Sequence, residues 1–302
     1  MSIPADITAD GNVRLGNREI AIPNYRIEHA IGGGANGVVF RARHRYLNRQ
    51  VALKLWFRRR LKDRRDKFRQ GIEEARKAAD AELVAGSRAV RVLEAGEVDG
   101  LFFAVTEYFE GITLEEWLTS RQWTFGLRYR IAWYLCESVA ELCRAHLIHG
   151  DLHTKNILMP TKFDEEQVWQ NPSVLDDIQI RIVDFGTSVF TSRENSTARH
   201  WRVFEETLCR ILAPICVTKL FRAPRPASSM LNETCEWYFD FLRQVPKLLA
   251  SAGVYWIKSG EPRAIDMAEW ARVLDSGELP LEESFLGYRS WPYGVCYQPA
   301  AV

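Results

Sequence analysis

The stretch that decides the fold is IHGDLHTKNIL, at residues 148–158, and a second one, IVDFG, follows it at residues 182–186. Each taken alone would suit an ordinary turn, because glycine, aspartate and asparagine all favour turns. Together and in this order they are specific, since they supply a candidate base, Asp151, and two oxygen ligands, Asn156 and Asp184. Such ligands suit magnesium, a hard cation that proteins bind through few carboxylates together with substrate phosphates.

A glycine-rich turn lies upstream, GGGANGVV at residues 32–39, and matches the pattern G-x-G-x-x-G-x-V through Gly32, Gly34 and Gly37. A turn that binds a dinucleotide is followed by a helix, whereas this one is followed by Val-Val-Phe, which indicates a strand. The turn therefore lies between two strands and can fold over phosphates as a flap, because glycine lets the backbone approach them closely. An ordinary hairpin is the alternative.

The next predicted strand carries VALK at residues 51–54, and its lysine, Lys54, stands among apolar residues. A buried ammonium group is costly unless it is paired, so a carboxylate on the following helix is expected. Glu73 and Glu74 are the candidates, and we prefer Glu74 because the alanines that follow it give that side of the helix a tight-packing face. The alternative is an edge-strand lysine that points to solvent.

With these parts in this order, the sequence resembles the protein-kinase superfamily over about residues 25 to 190. The resemblance implies a phosphotransferase with ATP and Mg²⁺ as cofactors, in which Asp151 accepts the proton of the substrate hydroxyl. Lys54 then contacts phosphate oxygens and pairs with Glu74, while Asn156 and Asp184 hold the metal. Nucleotide binding is assigned to Gly32, Gly34, Gly37, Val39, Ala52, Lys54, Glu107, Phe109 and Leu158. Among these, the resemblance makes residues 107–109 the hinge at the edge of the adenine ring.

The chain is therefore predicted to be of the α+β class, with a bilobal protein-kinase-like fold. We divide it into an N-terminal arm at 1–24, a small lobe of five strands and one main helix at 25–110, and a larger, mainly helical lobe at 111–302 with an insertion at about 160–180. Thr113 and Glu116 form a capping box that opens the first helix of the larger lobe. Most of the remaining chain, to about residue 274, reads as helices.

Three departures from the usual kinase pattern bear on activity. Gly150 replaces the arginine that usually pairs with a phosphorylated activation loop, so we expect activity that does not depend on such phosphorylation. His153 stands where Ser/Thr protein kinases usually carry lysine. No A-P-E sequence follows Gly186, and Glu205 or Glu206 is a candidate to replace the helix aspartate that braces the catalytic loop.

The predicted function is transfer of the ATP γ-phosphoryl group to a Ser/Thr hydroxyl of a protein substrate. His153 and the missing A-P-E leave open a small-molecule hydroxyl kinase of the aminoglycoside or choline kinase type. A nucleotide-binding regulatory pseudokinase is a third reading, which Lys54, Asp151, Asn156 and Asp184 all oppose. The Ser/Thr-rich segment at 187–197 offers autophosphorylation sites, although a polar loop would have the same composition.

Composition limits the partners and the compartment. The 302 residues include 40 basic and 39 acidic ones, so a net charge of +1 gives no general attraction to nucleic acid or membranes. No apolar run is long enough to span a membrane, no secretory signal opens the chain, and the six cysteines lack metal or disulfide spacing, which favours the cytoplasm.

Two charged stretches remain outside this scheme. The basic strip Arg58–Arg69 contains eight basic and two acidic residues, and it is the sole feature that would suit an acidic or nucleic-acid partner. A solvated helix face explains it more simply. The acidic residues of the insertion at about 160–180 likewise suit a solvated loop. The alternative is that they form an acidic rim that selects a basic substrate.

Overall fold

The computed structural model describes residues 6–34, 37–57, 64–85, 88–120, 125–161, 180–186, 193–212, 233, 235–243, 255–258, 261–264 and 283–284. The chain forms two compact units. The first comprises Met1–Glu110 and Arg181–Phe190, and the second comprises Gly111–Ile180 and Thr191–Val302. The segment 181–190, which carries the IVDFG motif's aspartate, therefore belongs with the first unit although it is distant in sequence.

The first unit is built on an antiparallel five-stranded sheet in the order β4-β5-β6-β8-β7. Its elements are β1 (Asp6–Ile7), β2 (Val13–Leu15), β3 (Arg18–Ile20), β4 (Tyr25–Gly34), β5 (Gly37–His44), β6 (Gln50–Leu55), α1 (Arg64–Ala85), β7 (Val92–Val98) and β8 (Leu101–Glu107). Strands β1 to β3 form a separate small sheet, in which β2 and β3 pair as a hairpin around Gly16.

Side chains alternate between the two faces of the sheet, so one face forms a buried apolar core and the other is covered by α1 only in part. Val38, Phe40, Leu53 and similar residues fill the core side. Val39, Ala52 and Lys54 are half-buried and lie on the other side, and Val39 is the register partner of Lys54. The strand pattern thus gathers three predicted nucleotide-binding residues on one face.

Helix α1 packs closely against strand β8. Phe68, Ile72 and Ala75 recur at helical spacing and meet an apolar cluster that includes Phe102. The approach is close enough that a Cβ at Gly71 would overlap the ring of Phe102. This contact fixes the helix that carries Glu74 against the sheet.

The second unit is mainly helical in its described part. Its elements are β9 (Gly111–Thr113), α2 (Leu114–Ser120), α3 (Phe125–Arg144), a 3₁₀ turn (Thr154–Asn156), β10 (Ile157–Pro160), α4 (Arg193–Leu212) and a helix at 235–243. The capping box is confirmed, because the Thr113 hydroxyl accepts from the Glu116 amide at 3.2 Å and the Glu116 carboxylate accepts from the Thr113 amide at 2.9 Å. The sheet with one long helix in the first unit and the mainly helical second unit confirm the predicted α+β class.

The prediction of helices to about residue 274 was wrong in one region. Strand β12 (Tyr255–Lys258) pairs antiparallel with β13 (Glu261–Ala264) and with β14 (Glu283–Ser284). The sequence Tyr-Trp-Ile at 255–257 is aromatic and β-branched, so strand pairing overrides the weak helical pattern. Within the described ranges, no helix is long and apolar enough to cross a membrane.

Several predictions fall outside the described residues. They concern the first part of the basic strip, 58–63, most of the insertion, 162–179, and the Ser/Thr-rich segment at 187–192. The end of the basic strip is described, and there Arg69 pairs with Glu73 at 3.1 Å on the exposed side of α1.

Candidate active site

Lys54 lies at the centre of a charged cluster in the first unit. Its ammonium group donates a hydrogen bond to the Glu74 carboxylate and lies 2.9 Å from Oδ1 of Asp184. Lys54 lies on strand β6 and Glu74 on helix α1. Asp184 comes shortly after strand β11 (Arg181–Ile182). The lysine therefore pairs with Glu74, whereas Glu73 turns outward to Arg69.

The cluster holds one cation and two carboxylates, and its pKa values reflect that imbalance. Burial alone would lower the pKa of Lys54, but the neighbouring Glu74 and Asp184 carboxylates together raise it above its usual value. Burial raises the pKa of Glu74 to about 7, and the like charge of Asp184 adds to this while Lys54 opposes it. Because the negative charge exceeds the positive charge, the cluster favours a further cation.

The D-F-G sequence fits this place for backbone reasons. Asp184 has a φ of 63°, a left-handed conformation that non-glycine residues adopt rarely and mostly at functional sites. Phe185 is buried and anchors the turn. A Cβ at Gly186 would overlap the carboxylate of Glu74, so glycine is needed for the helix glutamate to reach Lys54.

The glycine-rich turn joins β4 to β5, as predicted, with residues 35–36 outside the described range. A Cβ at Gly37 would overlap the carbonyl oxygen of Leu55, so this glycine is needed for contact between strands. At Gly32 the nearest atom to an added Cβ is the Cβ of Val39, at 3.9 Å. Protein packing thus leaves Gly32 open to a ligand, while Gly34 ends strand β4.

An arginine that the sequence did not single out fixes the predicted hinge. Arg181 is buried, and its Nε lies 2.9 Å from the Glu107 carboxylate while its guanidinium lies 5.7 Å from the ring centre of Phe109. Ala52 is the register partner of Thr106, directly before this hinge. Leu158 is half-buried on β10 in the second unit.

In the second unit, the catalytic-loop sequence forms a compact turn around Asp151. The Asn156 side-chain amide nitrogen donates to the Asp151 carbonyl at 3.0 Å, so the Asn156 side-chain oxygen takes no part in this bond. The Asp151 amide donates to Nδ1 of His149 at 3.2 Å. Gly150 has a φ of 90°, so the H-G-D form supplies the one residue that adopts this conformation without strain.

The Asp151 carboxylate has two nitrogen neighbours. A terminal nitrogen of Arg199 lies 3.2 Å from Oδ1, and Nε2 of His153 lies 3.8 Å from Oδ2. The Asp151 side chain keeps 16% of its surface exposed, so it is accessible to a substrate. Arg199 belongs to helix α4, 48 residues further along the chain, and no motif in the sequence had indicated it.

Helix α4 braces the catalytic loop at two points. His200 accepts a hydrogen bond from the Gly150 amide at 3.4 Å, and the Thr207 hydroxyl donates to the Leu152 carbonyl at 2.8 Å. Burial, with His149 nearby, lowers the pKa of His200 to about 3, so the ring is neutral and its Nδ1 can accept. His200 and Thr207 make these brace contacts, and of the two glutamates predicted for this role Glu205 is buried and Glu206 is exposed.

A polar cavity of about 350 Å³ opens beside Asp151 within the second unit. Its lining includes Glu115, His153, Lys155, Glu206 and Arg210. Such a cavity can receive a polar side chain next to the catalytic carboxylate.

Each unit offers an oxygen atom of the kind that magnesium binds. Asp184 in the first unit and Asn156 in the second each offer a hard oxygen atom, and the Asp184 side chain is 46% exposed. Within the described part of the chain, no group of three or more His, Cys, Asp and Glu side chains gathers as a metal site. Magnesium does not require one, because it commonly takes one or two protein ligands together with substrate phosphates.

A strand lysine paired with a helix carboxylate, a D-F-G aspartate, and a loop with Asp and Asn five residues apart are the parts that protein kinases use for phosphoryl transfer. The family model described as the protein kinase domain matches residues 25–236, well over half of the chain. The chain therefore belongs to the protein kinase family.

Among curated proteins, the chain is 31% identical over 170 residues to serine/threonine-protein kinase pkn3 of Myxococcus xanthus, an alignment that covers 55% of this chain and 28% of that protein. It is 30% identical over 139 residues to serine/threonine-protein kinase PrkC of Bacillus subtilis, covering 45% of this chain and 20% of that protein. The match thus spans less than a third of each relative.

Among solved structures, a mutant of the kinase domain of PknI from Mycobacterium tuberculosis has a TM-score of 0.50 and 15% sequence identity, and the match covers 78% of this chain and 99% of that one. At this identity the likeness concerns the fold. It agrees with the division into a sheet-based unit and a mainly helical unit.

Proposed function

We propose that this protein transfers the γ-phosphoryl group of ATP to a serine or threonine hydroxyl of a protein substrate. One observation carries the proposal: Lys54 is bonded at the same time to Glu74 and Asp184. In protein kinases this lysine–glutamate pair and the D-F-G aspartate must both be in place for transfer.

In the first unit, we assign nucleotide binding to the open face of the sheet and to the hinge. Gly32, Gly34 and Gly37 lie at the turn that would cover the phosphates, and Val39 and Ala52 offer the apolar surface for the base. The Lys54 ammonium group binds phosphate oxygens and is oriented by Glu74. Arg181 holds Glu107 and Phe109 in place at the hinge.

In the second unit, Asp151 acts as the acceptor of the hydroxyl proton. The acceptor oxygen forms its bond to phosphorus while the bond from the γ-phosphorus to the bridging oxygen breaks, and ADP leaves with that electron pair. Asn156 holds the Asp151 backbone through its amide nitrogen and offers its oxygen, like Asp184, to Mg²⁺. The metal, when bound, neutralises phosphate charge.

The acceptor class is proposed on sequence similarity to serine/threonine-protein kinases. The cavity beside Asp151 has room for a substrate side chain next to the transferred group.

Gly150 offers no side chain to a phosphorylated activation loop, so we infer activity without that modification. The described cysteines are free thiols, which suits a cytoplasmic protein.

The test is transfer of labelled γ-phosphate from Mg-ATP by the purified 302-residue chain to a generic basic protein. We expect label on serine or threonine in the wild type and none above background in Asp151→Asn, because asparagine cannot accept the hydroxyl proton. Asp240→Asn is the matched control, since Asp240 is exposed and its carboxylate pairs with Arg243, three residues along the chain. It should label protein like the wild type.

The same reaction mixtures should contain a panel of small-molecule alcohols in a parallel arm. Phosphate that appears on a small molecule and not on protein, with dependence on Asp151, would replace the proposed acceptor with a metabolite. Equal labelling by the wild type and Asp151→Asn would remove Asp151 from the site.

A further inference from the structure

The catalytic loop has a deficit of positive charge at the place where the phosphoryl group is transferred. Phosphoryl transfer depends mainly on cations positioned around the transferring group. Position 153, two residues after Asp151, is a histidine and not a lysine. Lys155 and Arg210 are nearby, but both pair with the Glu115 carboxylate, at 3.2 Å and 2.9 Å, so their charge is already neutralised in part.

Arg199 is placed to fill this deficit. Its guanidinium lies 3.2 Å from Oδ1 of Asp151 through one terminal nitrogen. Within the described residues, Asp151 is its one ion-pair partner, and 43% of its side chain is exposed. A guanidinium carries five donors in a planar fork, so binding one carboxylate oxygen leaves donors for a second anion.

The position of Arg199 is set by the brace between α4 and the loop. His200, its neighbour, binds the Gly150 amide, and Thr207 binds the Leu152 carbonyl. Gly150 and Leu152 flank Asp151 in sequence. The helix is therefore fastened to the loop on both sides of the catalytic carboxylate, and this holds the backbone of Arg199 in register with it.

We infer that Arg199 is a further catalytic residue, a guanidinium that contacts both Asp151 and the transferring γ-phosphoryl group. The inference rests on the proposed function. Arg199 takes the place of the cation that the loop lacks at position 153. Its role is to stabilise the charge on the phosphoryl oxygens while Asp151 receives the proton of the acceptor hydroxyl.

The opposing idea is that Arg199 blocks Asp151 and must leave before transfer. The two ideas predict opposite results when the side chain is removed. A catalytic arginine makes Arg199→Ala slower, whereas a blocking arginine makes it faster. The exposed donors of Arg199 and the two-point brace favour the catalytic role. A blocking side chain that has to move away before transfer would not need a backbone fixed against the loop.

The experiment compares Arg199→Ala with the wild type in two measurements on the full chain. We expect kcat for phosphate transfer to protein to fall about 10²-fold or more, as for loss of one group that stabilises transition-state charge, with a smaller change in KM for ATP. Arg202→Ala is the matched control, since Arg202 is an exposed arginine one turn further along α4, and it should keep the wild-type kcat.

The second measurement does not need turnover. Calorimetry with Mg²⁺ gives the affinity for a non-hydrolysable ATP analogue relative to ADP, which isolates the contribution of the γ-phosphate. We expect this ratio to fall about 10-fold in Arg199→Ala and to stay unchanged in Arg202→Ala, a loss typical of one charge-assisted hydrogen bond.

An unchanged ratio, or a kcat equal to or above that of the wild type, would overturn the inference. If the alanine variant does not fold, Arg199→Gln removes the charge with a longer side chain and is judged by the same two results. If the wild type labels no protein at all, the proposed function fails, while the affinity ratio still tests the contact of Arg199 with the γ-phosphate.

Discussion

The two units carry charged clusters of opposite construction. In the first unit, the Lys54 cation lies between two carboxylates, and its side chain is only 16% exposed. In the second unit, the Asp151 carboxylate lies between Arg199 and His153, which are 43% and 41% exposed. The central groups are equally covered, since the Asp151 side chain is also 16% exposed, but the partner Glu74 is 5% exposed, whereas both partners of Asp151 are more than 40% exposed.

The difference fits the roles that we propose for the two clusters. A cation that binds phosphate needs a fixed place, and burial strengthens its pairing because the local dielectric is low. A carboxylate that receives a proton must be reached by the substrate, so its partners stay accessible and contribute less to stability. We therefore expect changes in the first cluster to affect folding and activity together, and changes in the second to affect mainly activity.

The largest effect is expected when the buried cation is removed. Lys54→Met leaves Glu74 and Asp184 without their cation, and breaking a buried ion pair in this way typically costs about 3 kcal/mol or more. Phosphate transfer should fall at least about 10²-fold, because the group that binds phosphate is lost. Urea unfolding and labelled-phosphate transfer measure the two effects.

The double variant Lys54→Met/Glu74→Gln separates these effects. It removes the uncompensated buried charge, so most of the lost stability should return while activity stays absent. Arg69→Met is the matched control, because it breaks the exposed Arg69–Glu73 pair on the same helix, which should cost less than about 1 kcal/mol. A double variant as unstable as Lys54→Met would show that the charge of Glu74 is not the cause.

A smaller effect is expected from pH. The pKa of Glu74 is raised to about 7 from its ordinary value of 4.5, so the folded protein holds this proton more tightly than the unfolded chain. The resulting stability is fully present below pH 4.5 and is lost as the pH rises through 7. Lys54 has a raised pKa and stays charged across this window, so its contribution is constant there.

Glu74→Gln cannot titrate at this position, so it isolates the effect. The stability of the wild type relative to Glu74→Gln should decrease between pH 5 and pH 8 by on the order of 3 kcal/mol, the free energy that corresponds to the pKa difference. Urea unfolding at both pH values, without metal or nucleotide, gives this difference. A difference that stays constant would mean that the pKa of Glu74 is close to its ordinary value.

The first cluster was predictable from sequence because each member stands in a local pattern. VALK reads as a strand, D-F-G as a turn, and the alanines beside Glu74 indicate the face of α1 that packs. These are short-range signals of strand period, turn chemistry and helix packing. The choice of Glu74 over Glu73 needed no knowledge of the folded chain.

The partners that complete both sites had no such pattern. Arg199, His200 and Thr207 reach the catalytic loop only because helix α4 packs beside it, and their contacts span 48 to 55 residues. Arg181 reaches the hinge across 74 residues. An arginine, a histidine or a threonine on an amphipathic helix has the same local sequence whether it faces a loop or solvent, so only the tertiary structure identifies it. The strands at 255–258 and 261–264 were predicted as helix for a related reason, because their extended conformation depends on their pairing with each other.

The smallest effect concerns the brace of the second unit. Thr207→Val keeps the shape of the side chain but removes the hydroxyl that donates to the Leu152 carbonyl. The stability should fall by about 1 kcal/mol, the net value of one buried hydrogen bond, and kcat should fall a few-fold because Asp151 is held less firmly against Arg199. Thr119→Val is the control, since the exposed Thr119 hydroxyl bonds, among the described residues, to carbonyls of its own helix at 3.0 Å and 3.1 Å. Urea unfolding measures the effect on stability, and initial rates of phosphate transfer measure the effect on kcat.

If Thr207→Val loses stability but keeps the wild-type kcat, the brace supports folding alone, and the Asp151–Arg199 pair does not depend on α4 for its alignment.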